Sequence, residues 1–127
     1  MRSSGIPAFV ENVPQSTQAD ASLCRNVVEE SLRVEPANPL MPCVAAEDFE
    51  FRGEKISKRQ FVYLGIGSSN RDSEHYPDGN RSDVRREHGK HLAVGSGPNY
   101  CMGAILARRE AIFALRSLLE RFPALLS

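Results

Sequence analysis

Hydrophobic residues recur at helical spacing in two segments of the chain. The first segment, residues 22–34, follows Asp20, a fair N-cap residue, and places Val27 and Leu32 near one face. The second segment, residues 102–122, is the longest helix that the pattern predicts. The pattern therefore places one helix in the first third of the chain and another close to its end.

Apolar and β-branched residues between these helices favour strands. Residues 44–51 and 56–66 flank Arg52-Gly53-Glu54, and two such runs around a glycine turn predict a β-hairpin. Residues 67–89 are rich in Gly, Ser, Asn, Asp and Arg, which predicts a long loop. The order helix, hairpin, loop, helix indicates an α+β fold that is mainly α.

The last predicted helix is apolar on two adjacent sides. One stripe consists of Ile105, Ile112, Leu115, Leu119 and Phe122. The second stripe consists of Ala104, Ala107, Ala111, Ala114 and Leu118. This face is wider than a surface helix needs, so we expect packing partners on two sides, one of which can be another chain that covers this helix.

The composition is that of one globular domain. The chain has 127 residues, of which 41% are hydrophobic and 25% are charged. Its 16 basic and 16 acidic residues cancel, which argues against nucleic acid and anionic membranes as partners. No apolar run reaches about 18 residues, so no membrane span is expected. Residues 1–19 are polar and without a sustained period, which predicts an N-terminal arm ahead of one unit at 20–127.

The cysteines indicate a reducing compartment. Cys24, Cys43 and Cys101 are far apart and form no C-x-x-C pair, so neither a disulfide framework nor a zinc ribbon is expected. The first residues also lack the apolar core of a signal peptide. We therefore expect a cytoplasmic protein with free thiols, of which Cys24 and Cys43 act as small hydrophobic residues.

Two other groups of polar residues carry no predicted chemistry. His75, His88 and His91 lack ligand spacing with carboxylates or cysteines, and we expect them on the surface or in loops. A locally basic run has no interleaved aromatic residues, which favours a solvated face over a nucleic-acid patch. This run consists of Arg81, Arg85, Arg86 and Lys90.

The segment around Cys101 is the strongest candidate for chemistry. Gly95, Gly97 and Gly103 allow the backbone to turn tightly and to lie against a flat object without Cβ atoms in the way. A thiol just ahead of a helix N-terminus faces the positive end of the helix dipole, which favours thiolate, a soft ligand that iron accepts. The glycine spacing is not G-x-G-x-x-G, which excludes a dinucleotide site. On this segment alone, a glycine-rich turn around an inert cysteine stays open.

A second feature lies on the first predicted helix. Glu30 and Arg33 are three residues apart, so they share a helical face and can form an ion pair. Exposed pairs at this spacing are common and contribute only about 0.2–0.5 kcal/mol. The pair becomes informative because of its position in the sequence relative to the motifs that follow it.

Four motifs follow one another along the chain. They are Val28-Glu29-Glu30-Ser31-Leu32-Arg33, Ala46-Glu47-Asp48 with Gly53, Asn70-Arg71-Asp72 with Tyr76-Pro77-Asp78, and His91-Leu92-Ala93 through Cys101-Met102-Gly103 to Leu106-Ala107-Arg108. In this order they resemble the E-x-x-R helix, the hairpin, the loop before the haem and the cysteine loop of a cytochrome P-450. The resemblance is to the C-terminal part of the soluble bacterial members and covers about residues 20–127.

The resemblance implies a haem-binding protein. Cys101 would be the axial ligand of the haem iron, and Gly95, Gly97 and Gly103 would shape the loop beside the haem. The family reaction is oxygen-dependent monooxygenation of a small organic substrate with electrons from a partner such as a ferredoxin-type donor. An acidic donor would dock on the basic residues Arg85, Arg86, Arg108 and Arg109.

The resemblance also gives the ion pair a structural role. Glu30 and Arg33 would form a buried charge network, with Arg81 as its third member. Such a network holds structure rather than reacting, and the loss of one partner would cost about 3–5 kcal/mol.

Three residues depart from the family pattern. Val94 replaces the usual aromatic residue, while Asn99 and Cys43 replace basic residues associated with the haem propionates. A charge-assisted contact of that kind contributes about 1.5–3 kcal/mol, so we expect weakened haem binding.

The distal half of a P-450 site has no counterpart in the sequence. The resemblance implies a long distal helix with an acid and an alcohol for proton delivery, together with upstream substrate-recognition segments, and none of these motifs occurs in the 127 residues. Two functions therefore stay open. One is a haem-thiolate monooxygenase, and the other is a truncated, catalytically incompetent remnant or a non-catalytic interaction module.

Overall fold

The computed structural model describes residues 21–87 and 90–122. These residues form helix α1 (Ala21–Val34), strands β1 (Met41–Val44), β2 (Phe49–Phe51), β3 (Glu54–Ile56) and β4 (Phe61–Leu64), the short helix α2 (Ile66–Ser69) and the long helix α3 (Ala104–Arg121). The predicted α+β fold that is mainly α is confirmed. The predicted N-terminal arm lies outside the described residues.

Both predicted helices are present, and they pack against each other. α1 ends at Val34 because Pro36 disfavours helical geometry at the residue before it. α3 begins at Ala104 rather than at Met102, since a short 3₁₀ turn at Gly97–Asn99 and a further turn precede it. The cysteine loop thus runs directly into the start of α3.

The predicted hairpin is two separate strand pairs rather than one continuous ladder. β2 and β3 pair through a two-residue turn in which Arg52 and Gly53 both have positive φ, as a tight hairpin requires. β1 pairs with β4 farther from the turn, with Cys43 opposite Val62. The ladder breaks between the pairs because Arg59 has a φ of 70°, which a regular strand cannot accommodate.

The predicted strand through Ile66 is also too long. Ile66 begins α2 and is buried, and the Gly67 N–H donates to the Pro39 carbonyl at 3.0 Å. This contact turns the chain back toward the segment that follows α1. The long loop after α2 therefore starts beside α1, where it meets Glu30 and Arg33.

The described core is small and partly polar. Its buried apolar members are Cys24, Val27, Val28, Ala45, Ile66, Tyr76, Val84, Ala104 and Leu119. The largest fully buried side chains are Arg33, Glu30, Asn70 and Cys24. The predicted wide apolar face of α3 is only partly covered by the described residues: Ile105 is 66% exposed, Phe122 51% and Leu118 45%, whereas Ala104 and Leu119 are buried.

Candidate functional site

The cysteine loop ends on an exposed thiol. The loop turns at Gly95 and Gly97, whose φ angles of 79° and 70° lie in the left-handed region that favours glycine. The Cys101 N–H donates to the Val94 carbonyl at 3.0 Å and closes the loop. Cys101 itself is exposed. The backbone therefore presents the thiol at the surface, just before the N-terminus of α3.

Two glycines leave the space near this thiol open. A Cβ at Gly97 would meet no atom within 4 Å, and a Cβ at Gly103 would lie 3.9 Å from the Cys101 Sγ. A flat group can approach the sulfur without obstruction from side chains at these positions. A soft sulfur donor on a glycine-lined surface fits haem iron.

The three departures from the P-450 pattern are all neutral side chains. Val94 is half-buried, and Asn99 lies exposed in the 3₁₀ turn. Cys43 lies half-buried on β1. None of the three can supply a cation to an acidic group on a ligand.

Glu30 and Arg33 form a fully buried ion pair. Arg33 Nη2 lies 2.7 Å from Glu30 Oε1, and Arg33 Nε lies 2.9 Å from Glu30 Oε2. Arg33 Nη1 donates to the carbonyls of Asn70 and Gly79, both at 2.7 Å, and Nη2 also donates to the Arg81 carbonyl at 3.1 Å. These five acceptors match the five N–H groups of a guanidinium. The pair thus joins α1 to the long loop.

The third member of this network is not the predicted side chain. Arg81 contributes only its carbonyl to Arg33, and its residue is exposed. The second guanidinium beside Glu30 belongs to Arg86, whose Nε lies 3.4 Å from Glu30 Oε1. The Asp83 N–H donates to the same oxygen at 2.9 Å. Arg86 was visible in the sequence only as part of a basic run, because nothing local indicates that it folds back onto α1.

These contacts keep Glu30 ionised. Burial alone would raise the pKa of Glu30, but the hydrogen bonds from Arg33 and from the Asp83 N–H, with the charges of Arg33 and Arg86, lower it below its ordinary value. The network is therefore an ionic one.

Gly79 occupies a position that only glycine fits. A Cβ there would lie 2.5 Å from the Arg71 carbonyl oxygen. The missing side chain lets the Gly79 carbonyl reach Arg33. On another side, the Arg33 guanidinium lies 5.2 Å from the centroid of the Tyr76 ring, within cation–π range. Nothing in the local sequence around Gly79 indicates this close approach.

Asn70 connects the ion pair to the segment that leads to the cysteine. Its carbonyl accepts from Arg33, and its Oδ1 accepts from the Leu92 N–H at 2.8 Å. Asn70 is 0% exposed, and its Nδ2 has no hydrogen-bond partner among the residues that the structure describes. One buried residue thus touches both predicted features, a role that its place in the Asn-Arg-Asp motif alone does not reveal.

A second, partly buried network links α1, the cysteine loop and α3. Glu29 accepts from Arg108 Nε at 2.7 Å through Oε1, and its Oε2 lies 3.0 Å from His91 Nε2. Arg108 Nη1 donates to the Tyr100 hydroxyl at 3.0 Å. His91 lies in a loop, as expected, and is buried against Glu29.

The charge of Glu29 is also stabilised. Burial would raise the pKa of Glu29, but the hydrogen bonds from Arg108 and His91 and the charge of Arg108 lower it. The hydrogen bond to Glu29 correspondingly raises the pKa of Arg108.

The predicted basic docking surface is divided in the structure. Arg86 and Arg108 are committed to Glu30 and Glu29, whereas Arg85 and Arg109 are exposed. A cleft beside the cysteine loop is also lined by basic residues. Besides Arg108, which is paired with Glu29, they are Arg25, Lys90 and Arg109.

Two kinds of feature are absent from residues 21–87 and 90–122. No three His, Cys, Asp or Glu side chains there cluster as a metal ion would require. None of the helices in this part of the chain is long and apolar enough to cross a membrane.

Comparison with known proteins identifies the family. A family model described as cytochrome P450 matches residues 6–126. The chain belongs to the cytochrome P450 family. P450s hold their haem iron through a cysteine thiolate.

Bacterial P450s are among the similar proteins. The chain is 42% identical over 106 residues to 6-deoxyerythronolide B hydroxylase of Saccharopolyspora erythraea, a match that covers 84% of this chain and 26% of that protein. It is 37% identical over 124 residues to the cytochrome P450 monooxygenase PikC of Streptomyces venezuelae, covering 95% of this chain and 30% of PikC.

The fold is also that of a partial P450. The structure matches P450BioI, solved in complex with acyl carrier protein ligated to hexadec-9Z-enoic acid, with a TM-score of 0.81 and 35% identity. The match covers 86% of this chain and 28% of P450BioI. The chain therefore spans little more than a quarter of the length of these P450s.

Proposed function

We propose that Cys101 ligates haem iron as a thiolate, in the proximal half of a P450 monooxygenase site. The observation that carries the proposal is an exposed thiol at the end of a closed glycine-rich loop, directly before a long helix. Haem, when bound, supplies the iron at which P450s activate oxygen. The chain's own residues supply the ligand and the rigid surface around it.

Each glycine of the loop has a distinct part in this proposal. Gly95 and Gly97 provide the left-handed turns that bring Cys101 back to Val94. Gly103 keeps the approach to the sulfur free of a side chain. Substituting Gly95 or Gly97 would strain the turns, whereas substituting Gly103 would obstruct the ligand.

The ion pair has a structural part in the same proposal. The pair of Glu30 and Arg33 holds the long loop on α1. Asn70 accepts hydrogen bonds from Arg33 and from the Leu92 N–H, and so connects the long loop to the start of the cysteine loop. Arg81 takes part through its carbonyl. None of the contacts described for these groups is with the thiol, so we assign them no catalytic role.

The substrate and partners follow from the family. We propose a small organic substrate for the complete site and an acidic, ferredoxin-type electron donor. The cleft beside the cysteine loop is lined by Arg25, Lys90 and Arg109. These positive charges support a donor of opposite charge. The described cysteines are all free, which supports a reducing cytoplasm.

Charge reversal tests the donor surface. Arg109→Glu in the haem-loaded chain should slow reduction by an acidic ferredoxin and weaken the salt dependence of that rate. Arg85→Glu is the matched control, since Arg85 is exposed but does not line the cleft. Equal rates in the two variants would remove this surface from the account.

A haem titration tests the ligand. We expect the purified chain to bind haem with a saturable change in absorption, and Cys101→Ser to weaken that binding at least tenfold. Cys43→Ser, a half-buried thiol on β1, is the control and should leave the titration unchanged. Equal weakening by both substitutions, or none by either, would contradict ligation by Cys101.

A second candidate function is a non-catalytic one. The neutral side chains of Val94, Asn99 and Cys43 and the exposed apolar residues of α3 favour a remnant or an interaction module with weak haem affinity. Under this alternative the wild-type chain takes up no haem at stoichiometric concentrations.

A further inference from the structure

We propose that Glu29 and Arg108 are positioning residues that fix both ends of the cysteine loop. The inference rests on the proposed haem role of Cys101 for its spectroscopic consequence, whereas its structural consequence concerns the loop alone. Glu29 uses one carboxylate oxygen for each end of the loop.

The first end is held directly. Glu29 Oε2 lies 3.0 Å from Nε2 of His91, which is 8% exposed. The Ala93 N–H donates to Nδ1 of the same ring at 3.3 Å. A ring that accepts at Nδ1 and donates at Nε2 is the neutral tautomer with its proton on Nε2. His91 thus connects the carboxylate to the backbone at the start of the loop.

The second end is held through Arg108. Its Nε donates to Glu29 Oε1 at 2.7 Å, and its Nη1 donates to the Tyr100 hydroxyl at 3.0 Å. Tyr100 is the residue immediately before Cys101. A planar guanidinium can serve both acceptors at once, because its donors point in fixed directions.

Burial makes this arrangement different from a surface ion pair. The side chains of Arg108 and Glu29 are only 21% and 14% exposed. Exposed pairs are weak because water competes for both partners, and here that competition is reduced. Arg108 is also poorly placed to meet a docking protein, whereas its neighbour Arg109 is exposed.

Hydrogen exchange resolved by peptide tests the structural consequence in the full chain. Tyr100→Phe removes one hydroxyl and should speed exchange in the peptide that contains Cys101 about threefold to tenfold, the equivalent of one lost hydrogen bond. Arg108→Ala should do the same with a larger effect. Tyr63→Phe and Arg109→Ala are matched controls on exposed residues and should leave this peptide unchanged.

Two comparisons separate positioning from general destabilisation. A positioning role predicts faster exchange in residues 91–103 with no change in the β1–β4 pair, and Arg108→Lys should restore the ion pair but not the protection given by Tyr100. If Arg108→Ala unfolds the chain, the Tyr100→Phe variant still tests the proposal. It removes only one hydroxyl from a half-exposed residue, so we expect it to fold. If the loop in the Tyr100→Phe variant exchanges at the wild-type rate, the proposal is overturned.

The haem-loaded chain provides the second readout. Tyr100→Phe should lower the fraction of reduced carbon monoxide complex that shows a thiolate-type absorption band, while Tyr63→Phe should not. If the wild-type chain binds no haem but loop exchange responds as expected, the proposed function fails and the positioning role stands. If the wild-type chain binds haem but exchange of the loop does not respond to Tyr100→Phe, only the positioning role is contradicted.

Discussion

The two long helices differ in the charged side chains that they bury and the apolar side chains that they expose. α1 places Glu30 and Arg33 in the interior, at 0% and 1% exposure, with an acceptor for every N–H of the guanidinium. α3 carries apolar residues that the described chain leaves in contact with solvent, among them Phe113 at 73% exposure. α1 thus carries buried charged side chains, whereas α3 carries exposed apolar side chains.

The difference follows from where each helix finds its partners. All the acceptors of Arg33 outside α1 belong to residues 70–81, which turn back over the helix. α3 packs on α1, and its buried residues are Ala104 and Leu119. Arg33 therefore finds its acceptors within the described residues, whereas these residues leave much of the apolar surface of α3 exposed.

The largest effect is expected from removing the cation of the buried pair. Arg33→Ala should lower the free energy of unfolding by about 3–5 kcal/mol, because Glu30 would remain buried with much of its compensation lost. Urea denaturation measures this change. Arg25→Ala, an exposed arginine on the same helix, is the control and should change stability by less than about 0.5 kcal/mol. Similar losses in both variants would show that the pair is not the source of stability.

The next effect is expected at Gly79. Gly79→Ala should cost about 1–3 kcal/mol, since the new Cβ would lie 2.5 Å from the Arg71 carbonyl oxygen and would push the Gly79 carbonyl away from Arg33. Gly65→Ala is the matched control, because its Cβ would meet its nearest neighbour at an ordinary 3.5 Å. Thermal or urea unfolding of the two variants compares them, and equal stability would contradict the close approach.

Acid should weaken the buried ion pair of Glu30 and Arg33 before it affects the apolar contacts. The pKa of Glu30 is lower in the folded chain than its ordinary value, so its stabilising contribution is present above about pH 4.3 and is lost as the pH falls through the lower, folded-state pKa. Glu29 acts in the same direction. Urea unfolding between pH 3 and 7 should show this loss, with a shallower dependence in Glu30→Gln. An unchanged pH dependence in that variant would count against an ionised Glu30.

The smallest effect is expected on the exposed face of α3. Phe113→Ala should change stability by less than about 1 kcal/mol, because the ring contacts water already. Leu119→Ala, on the buried side of the same helix, should cost about 2–5 kcal/mol. Comparable losses would mean that Phe113 is covered in solution, and sedimentation at several concentrations would then show whether a second copy covers it.

Local patterns predicted the elements that depend on local physics. Helical spacing gave both long helices to within a few residues, and the glycine at 53 located the tight turn. The break in the ladder at Arg59 escaped prediction, because positive φ at an arginine is set by its surroundings.

Residues of the site could be predicted to lie together only where they belong to the same local sequence motif. Cys101 and its glycines are neighbours in sequence, and Glu30 and Arg33 lie on one helical face. Arg86 reaches Glu30 across 56 residues, and His91 reaches Glu29 across 62, so neither contact leaves a local signal. Such contacts arise from the path of the long loop, which no periodicity specifies.

The central claim is that Cys101 is a haem ligand, and the most direct measurement is the absorption spectrum of the haem-loaded chain, reduced under carbon monoxide. We predict a thiolate-type band in the wild-type chain that persists in Cys43→Ser and disappears in Cys101→Ser. A band of the same position and intensity in Cys101→Ser would contradict the claim.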